Sequence, residues 1–170
     1  MAHDATQNVA TALDQIPSGM YIMTAASDGL TSGILVRWVQ RCCIDPPMLM
    51  LALRKGMPIE PIIRDSRSFA LCQIDEKDRF LHRKFATPPD RTEDPFVGLP
   101  TQRAPGGSPI IERAMAWLEC ELVRNVELDC DHRLYVGQVI CGKRLHDARP
   151  AIHFGLNGTD RSGTGTNSKP

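Results

Sequence analysis

The sequence lacks the local signatures of several common cofactor sites. It has no G-x-G-x-x-G or Walker stretch, which excludes a Rossmann-type or P-loop phosphate cradle. Its cysteines form no CxxC pair and no Cys/His cluster, which excludes the usual zinc and iron-sulfur sites, so no metal is expected. Any cofactor therefore has to be held by a different kind of site.

The sequence also lacks an excess of positive or negative charge, and it lacks long apolar runs. The 20 basic and 20 acidic residues balance, so no bulk electrostatic binding of nucleic acid or membrane is expected. No apolar run approaches the ~20 residues of a membrane span, and the N-terminal stretch lacks a basic region followed by an apolar core. We therefore expect a cytoplasmic protein that binds neither nucleic acid nor membrane.

The chain has 170 residues, enough for one compact domain. We expect that domain to span residues 1–156, because residues 157–170 are rich in Gly, Thr and Ser and lack hydrophobic periodicity, as is typical of a flexible tail. The six cysteines are interpreted as free thiols in a reducing compartment. The adjacent Cys42 and Cys43 could suggest a redox disulfide, but neighbouring strand residues point to opposite faces, which favours a packing role.

Hydrophobic periodicity predicts a mainly β domain with a few short helices. Helices are expected at residues 6–16, around PIEPIIRD, and at KDRFLHRKFA. About six strands are expected, including one from residue 31 to 43 and the near-continuous apolar strand PMLMLALRK, which should be covered on both sides. The proline-rich segment 87–109 should hold no regular element. Because few helices separate the strands, a mainly antiparallel barrel is favoured.

One long stretch of the sequence, with three shorter segments after it, resembles the motifs of a known protein family. GILVRWVQRCCIDPPMLMLALRK combines a strand ending in a small and polar run, a D-P-P turn, and an apolar strand ending in basic residues. SRSFALCQI, LHRKFA and DHRLYVGQV follow it in order. This ordered combination resembles the flavin reductase-like family, also called the split-barrel FMN-binding family, and particularly its flavoredoxin branch and the modules fused to flavodiiron proteins. Here Cys130 replaces the glycine that usually precedes Asp-His, and Cys42 and Cys43 replace Ser or Thr.

The resemblance implies an antiparallel Greek-key split β-barrel that binds FMN, with FAD as an alternative, and takes a hydride from NAD(P)H. It also implies a homodimer and an oxygenase or other acceptor of reduced flavin. Trp38, Val39, Gln40 and Cys42 would edge the flavin ring, Ser32 and Lys84 would bind its polar groups, and Arg54 and Lys55 would reach the phosphate. His132 would approach the flavin or nicotinamide as the catalytic residue, and Phe154 would close the pocket.

From the residues alone, each assignment has a plainer alternative. Trp38 could be a core residue, Arg54 and Lys55 solvated charges, and His132 a turn residue. Three functions stay open: a reductase that donates reduced flavin, a carrier that keeps its FMN, and a barrel that serves only for binding. Because Arg54, Lys55 and His132 are all present, the third is disfavoured.

Overall fold

The computed structural model describes residues 2–90 and 93–154 of the chain. Within them lie three helices, which are α1 (Ala2–Leu13), α2 (Ile59–Ser66) and α3 (Arg79–Phe85). The strands of the main sheet are β2 (Tyr21–Ser27), β3 (Leu30–Val36), β4 (Val39–Cys43), β5 (Met48–Arg54), β6 (Ser68–Gln73), β9 (Ala116–Glu127) and β10 (His132–Arg144). Four short strands complete the set: β1 (Pro17–Gly19), β7 (Thr101–Arg103), β8 (Pro109–Ile111) and β11 (Ile152–Phe154).

The seven-stranded antiparallel sheet closes into a barrel. Its strand order is β3-β2-β6-β9-β10-β5-β4, so β3 and β4 lie at opposite ends of the sheet. A flat sheet of this width would separate them by about 29 Å, whereas the three peptide units from Val36 to Val39 span at most about 11 Å. The sheet must therefore curl until its ends meet. At the seam the Ala52 N–H of β5 donates to the Trp38 carbonyl at 3.1 Å.

The core has two parts, one inside the barrel and one outside it. Phe69, Leu71, Leu51 and Tyr135 fill the interior, and α2 packs its buried isoleucines Ile59, Ile62 and Ile63 against it. Outside the sheet, α3 and the β7–β8 hairpin cover the other face of β2 and β6, with the buried residues Ile22, Cys72, Leu81, Phe85 and Ile110. The mainly β, antiparallel barrel and the two helices α2 and α3 confirm the sequence prediction.

Two sequence predictions are corrected. The strand expected from residue 31 to 43 is two strands, because it has to break at Arg37 and Trp38 where the sheet ends meet. The segment 87–109 contains β7 and the start of β8: Pro109 takes the first position of its strand, where its missing N–H is tolerated. The main sheet has seven strands, in line with the count of about six.

The ends of the chain also differ from expectation. The first helix spans Ala2–Leu13 instead of residues 6–16, and its predicted apolar side chains Val9 and Leu13 are exposed. The tail predicted at 157–170 lies outside the described residues.

The apolar strand β5 is covered on one side only. Leu49, Leu51 and Leu53 are buried, but Met50 between them is 38% exposed, so the expectation of cover on both sides is wrong for a single chain. On the outer face Met50 lies opposite Val136, and Ala52 opposite Leu134. In the described part of the chain, no helix has the length and apolar character needed to cross a membrane.

Candidate functional site

A cleft of about 400 Å³ opens at the barrel seam, between the end of β3, the end of β5 and the β9–β10 turn. Its apolar lining includes Val36, Leu53 and Met57. Its polar lining consists of the side chains of Arg37, Arg54, Asp131, His132 and His153, with Trp38 beside them. The cleft therefore combines an aromatic and aliphatic wall with an excess of basic groups over the single carboxylate of Asp131.

Trp38 and His132 come from distant parts of the chain and meet in this cleft. Their ring centroids are 4.9 Å apart and the ring planes are inclined by 47°. The His132 Nδ1 lies 2.8 Å from the Asp131 carboxylate, a contact that orients the imidazole. This hydrogen bond is the largest cause that lowers the pKa of Asp131, and the charge of Arg54 lowers it further.

Strand alternation decides which of the two basic residues at the end of β5 faces the cleft. Arg54 is paired in register with His132 and lies on the outer face of the sheet with it. Lys55 points the other way: its Nζ donates to the Leu128 carbonyl at 2.7 Å and forms an ion pair with Glu127. Of the predicted phosphate pair, the structure brings only Arg54 to the cleft.

An ion network centred on Glu60 stabilises the end of β5 on the side away from the cleft. The Glu60 carboxylate accepts hydrogen bonds from the Gly56 and Met57 N–H groups at 2.5 and 3.0 Å. It also accepts from Arg133 Nη1 at 2.6 Å and from the Tyr135 hydroxyl at 2.9 Å. Four donors on one carboxylate tie the β5–α2 turn to β10, so Met57 and Arg54 are held at the mouth of the cleft.

The other predicted site residues lie outside this lining. Val39, Gln40 and Cys42 follow Trp38 on β4, with Gln40 and Cys42 exposed. Ser32 is buried in a separate cavity of about 230 Å³ beside α2. Lys84 reaches the Val97 carbonyl at 3.4 Å beside the proline-rich segment. Phe154 pairs with Pro17, and its neighbour His153 lines the cleft instead.

Of the twelve residues that line the cleft, the sequence predicts Trp38, Arg54 and His132. Among the nine it misses are Arg37, Met57 and His153. Arg37 was read as the middle of a continuous strand, and His153 lies on β11, which no pattern predicted. Arg37 carries the clearest signal of a missing ligand, because its Nε is buried and has no hydrogen-bond partner among the described residues. Within that same part of the chain, no group of three His, Cys, Asp or Glu side chains could hold a metal ion.

Comparison with known proteins gives two kinds of match. A family model described as "Flavin reductase like domain" matches residues 13–157. A putative diflavin flavoprotein of Nostoc sp. is 30% identical over 153 residues, 89% of this chain and 27% of that protein. The chain thus spans about a quarter of the length of this relative.

Two further proteins are similar to this chain over most of its length. The reductase component of a 4-nitrophenol 4-monooxygenase/4-nitrocatechol 2-monooxygenase from Rhodococcus opacus is 32% identical over 72% of this chain and 64% of its own length. Among solved structures, an NADH:FAD oxidoreductase of Streptomyces globisporus superposes with a TM-score of 0.79 at 22% identity, covering 91% of this chain and 90% of that one. At that identity the structural match shows the fold alone.

Proposed function

This chain belongs to the flavin reductase-like domain family, and on that premise we propose that it binds FMN in the Trp38–His132 cleft and passes a hydride from NAD(P)H to flavin. FAD is the alternative flavin. The family match and the relative named as the reductase component of a monooxygenase support the reaction class.

One observation carries the placement of the flavin: a cleft of about 400 Å³ collects an aromatic wall and the basic residues Arg37 and Arg54. A flavin mononucleotide needs a slot for a flat ring and cationic groups for a phosphate of nearly two negative charges. The buried, unpartnered Nε of Arg37 indicates that the cleft is built for an acceptor that a ligand brings. The residues present therefore fit this group.

Four residues of the cleft have proposed roles. When bound, the flavin supplies a ring that accepts a hydride from a nicotinamide stacked on it. Trp38 forms the wall of the slot and excludes water from one side. His132, oriented by Asp131, borders the open side and holds the nicotinamide in a productive position. Arg54 binds the phosphate.

The remaining predicted contacts stay proposals. Val39, Gln40 and Cys42 directly follow Trp38, which supports contacts to the ring edge. Ser32 is buried in the separate cavity, and Lys84 and Phe154 lie on the surface outside the cleft, so their roles would require a bound ligand to extend beyond the cleft. A phosphate contact from Lys55 is not among these proposals, because it would require breaking the ion pair with Glu127.

A homodimer is the proposed assembly. The outer face of β5, β9 and β10 presents Met50, Val126, Leu134, Val136 and Ala52, and Ala52 also lines the cleft. Met50 is 38% and Val126 36% exposed, which is unusual for a continuous apolar face on a monomer. A second copy covering this face would sit beside the flavin cleft and shield it from water.

One further partner and a compartment are proposed. The Rhodococcus relative is named as the reductase component of a monooxygenase, which supports an oxygenase as the acceptor of reduced flavin. The cytoplasm is the proposed location, because Cys72 and Cys120 are buried single thiols that act as core residues.

A second function keeps the flavin bound and receives electrons from another protein. It is supported by the match to a protein named as a putative diflavin flavoprotein, of which this chain covers 27%. Both functions predict flavin binding, so FMN titration by fluorescence quenching tests the cleft. Anaerobic stopped-flow mixing with NADH and with NADPH separates them: rapid bleaching of the flavin band supports the reductase, and slow bleaching with both donors supports the carrier.

A further inference from the structure

Arg37 lies in the two-residue link that joins the opposite ends of the sheet. Its carbonyl accepts the Val39 N–H at 2.8 Å, so the link is a tight turn whose course leaves little freedom at this position. Its side chain lines the cleft. The backbone of Arg37 is therefore fixed at the seam by the same turn that closes the barrel, and its side chain extends from there into the cleft lining.

The guanidinium of Arg37 differs from the other cations near the barrel end. Arg133 binds both Glu60 and Glu127, Lys55 binds Glu127, and Arg67 donates to the Leu122 carbonyl. Arg37 has a buried Nε without an acceptor among the described residues. Of the four buried side-chain nitrogen or oxygen atoms without a partner in the described residues, the Arg37 Nε is the only one on a residue that lines this cleft. Because a buried donor without a partner is costly, this favours a ligand that carries an acceptor.

The only carboxylate in the described lining, that of Asp131, makes no hydrogen bond to Arg37. Its Oδ1 lies 2.8 Å from the His132 Nδ1. Arg37, Arg54, His132 and His153 thus line the cleft together with a single acid. This balance of charges favours an anionic ligand.

We propose that Arg37, together with Arg54, recognises the terminal phosphate of the flavin and thereby makes the cleft selective for FMN over riboflavin. The inference rests on the proposed flavin site. A planar guanidinium matches two phosphate oxygens at once, and its charge persists at every working pH. Arg37 then takes the place that the sequence assigned to Lys55.

The test compares two cations that lie at the same end of the barrel. Arg37→Gln should raise the Kd for FMN by roughly 10- to 100-fold and leave the Kd for riboflavin within about threefold, because riboflavin lacks the phosphate. Lys55→Gln is the matched control and should change neither Kd by more than about threefold. Arg37→Lys keeps the positive charge but lacks the planar guanidinium that can bind two phosphate oxygens, so it should recover part of the FMN affinity. Flavin fluorescence quenching measures all four proteins.

Each other result counts against the proposal in a recognisable way. Equal weakening of FMN and riboflavin by Arg37→Gln would place Arg37 at the ring and overturn the phosphate assignment. Loss of FMN selectivity in Lys55→Gln instead would restore the sequence-based assignment. Wild-type protein that binds neither flavin would defeat the proposed function itself, along with this inference. If Arg37→Gln fails to fold by circular dichroism, the Arg37→Lys variant and the FMN preference of the wild type decide the question.

Discussion

The imidazole of His132 packs against the indole of Trp38, with ring centroids 4.9 Å apart, although 94 positions would separate them in an extended chain (132 minus 38). The contact forms because the barrel seam brings the β3–β4 link beside the β9–β10 turn. Asp131 holds the other edge of the imidazole through Nδ1 at 2.8 Å. The histidine is thus fixed between an aromatic wall and a carboxylate at the mouth of a cleft.

We expect His132→Ala to slow flavin reduction by NAD(P)H by roughly 10- to 100-fold, the loss of one orienting contact of about 1.4–2.7 kcal/mol in the transition state. FMN affinity should change less, because the phosphate contacts remain. Anaerobic stopped-flow absorbance measures the step, with His82→Ala on α3 as a control away from the cleft. Fast reduction that the His132 substitution leaves untouched would contradict the placement of the imidazole.

Arg54→Ala should lower FMN affinity by roughly 10- to 100-fold, since one charge-assisted contact of about 1.5–3 kcal/mol is lost. The side chain is exposed and on the outer face, so the melting temperature of the flavin-free protein should hardly change. Calorimetric FMN titration is the measurement. Arg83→Ala removes an exposed arginine from α3 and serves as the control; if both variants bind FMN equally well, Arg54 is only a solvated charge.

Much of the barrel could be predicted from the sequence because strands and amphipathic helices carry local signals. The alternation of Leu49, Leu51 and Leu53 and the spacing of Ile59, Ile62 and Ile63 are visible without coordinates. Barrel closure is not a local property. Nothing near Arg37 and Trp38 indicates that the next residues belong to the opposite end of the sheet, so a single long strand was predicted there.

The same limit explains the mixed outcome for the site. Trp38, Arg54 and His132 were found through a resemblance in which their order along the chain is informative. Which of Arg54 and Lys55 faces the cleft depends on the register of β5 against β10 and on Glu127, a residue 72 positions from Lys55 (127 minus 55). Arg37 and His153 reach the cleft only through the seam and through β11, neither of which leaves a pattern in the sequence.

Met50→Lys should weaken or abolish the homodimer. A lysine at the centre of the apolar face would have to bury its charge against the second copy, which is strongly unfavourable. Multi-angle light scattering at micromolar concentration should give a dimer for the wild type and a smaller species for the variant. Val97→Lys, at an apolar position of the proline-rich segment that is 71% exposed, should remain dimeric. A monomeric wild type would refute the assembly.

Removing a buried thiol should change how stability depends on pH. Burial raises the pKa of the Cys72 and Cys120 thiols from the ordinary 9.0 to about 12. Between these values the unfolded chain has released protons that the folded chain still holds, so the free energy of unfolding falls as pH rises. The slope is about 1.4 kcal/mol per pH unit for each thiol.

Urea unfolding under reducing conditions, from pH 8 to pH 10.5, measures this slope. Cys72→Ala should start from a lower stability because it leaves a small cavity in the core, yet lose less of that stability as the pH rises. The tyrosines and lysines ionise alike in both proteins, so the difference between the two slopes isolates the thiol. Cys42→Ala is the control, since Cys42 is exposed and its removal leaves both buried thiols in place. If the free energy of unfolding falls equally with pH in wild type and Cys72→Ala, the Cys72 thiol is accessible to water. The outer core between β6 and the β7–β8 hairpin would then be accessible to water as well.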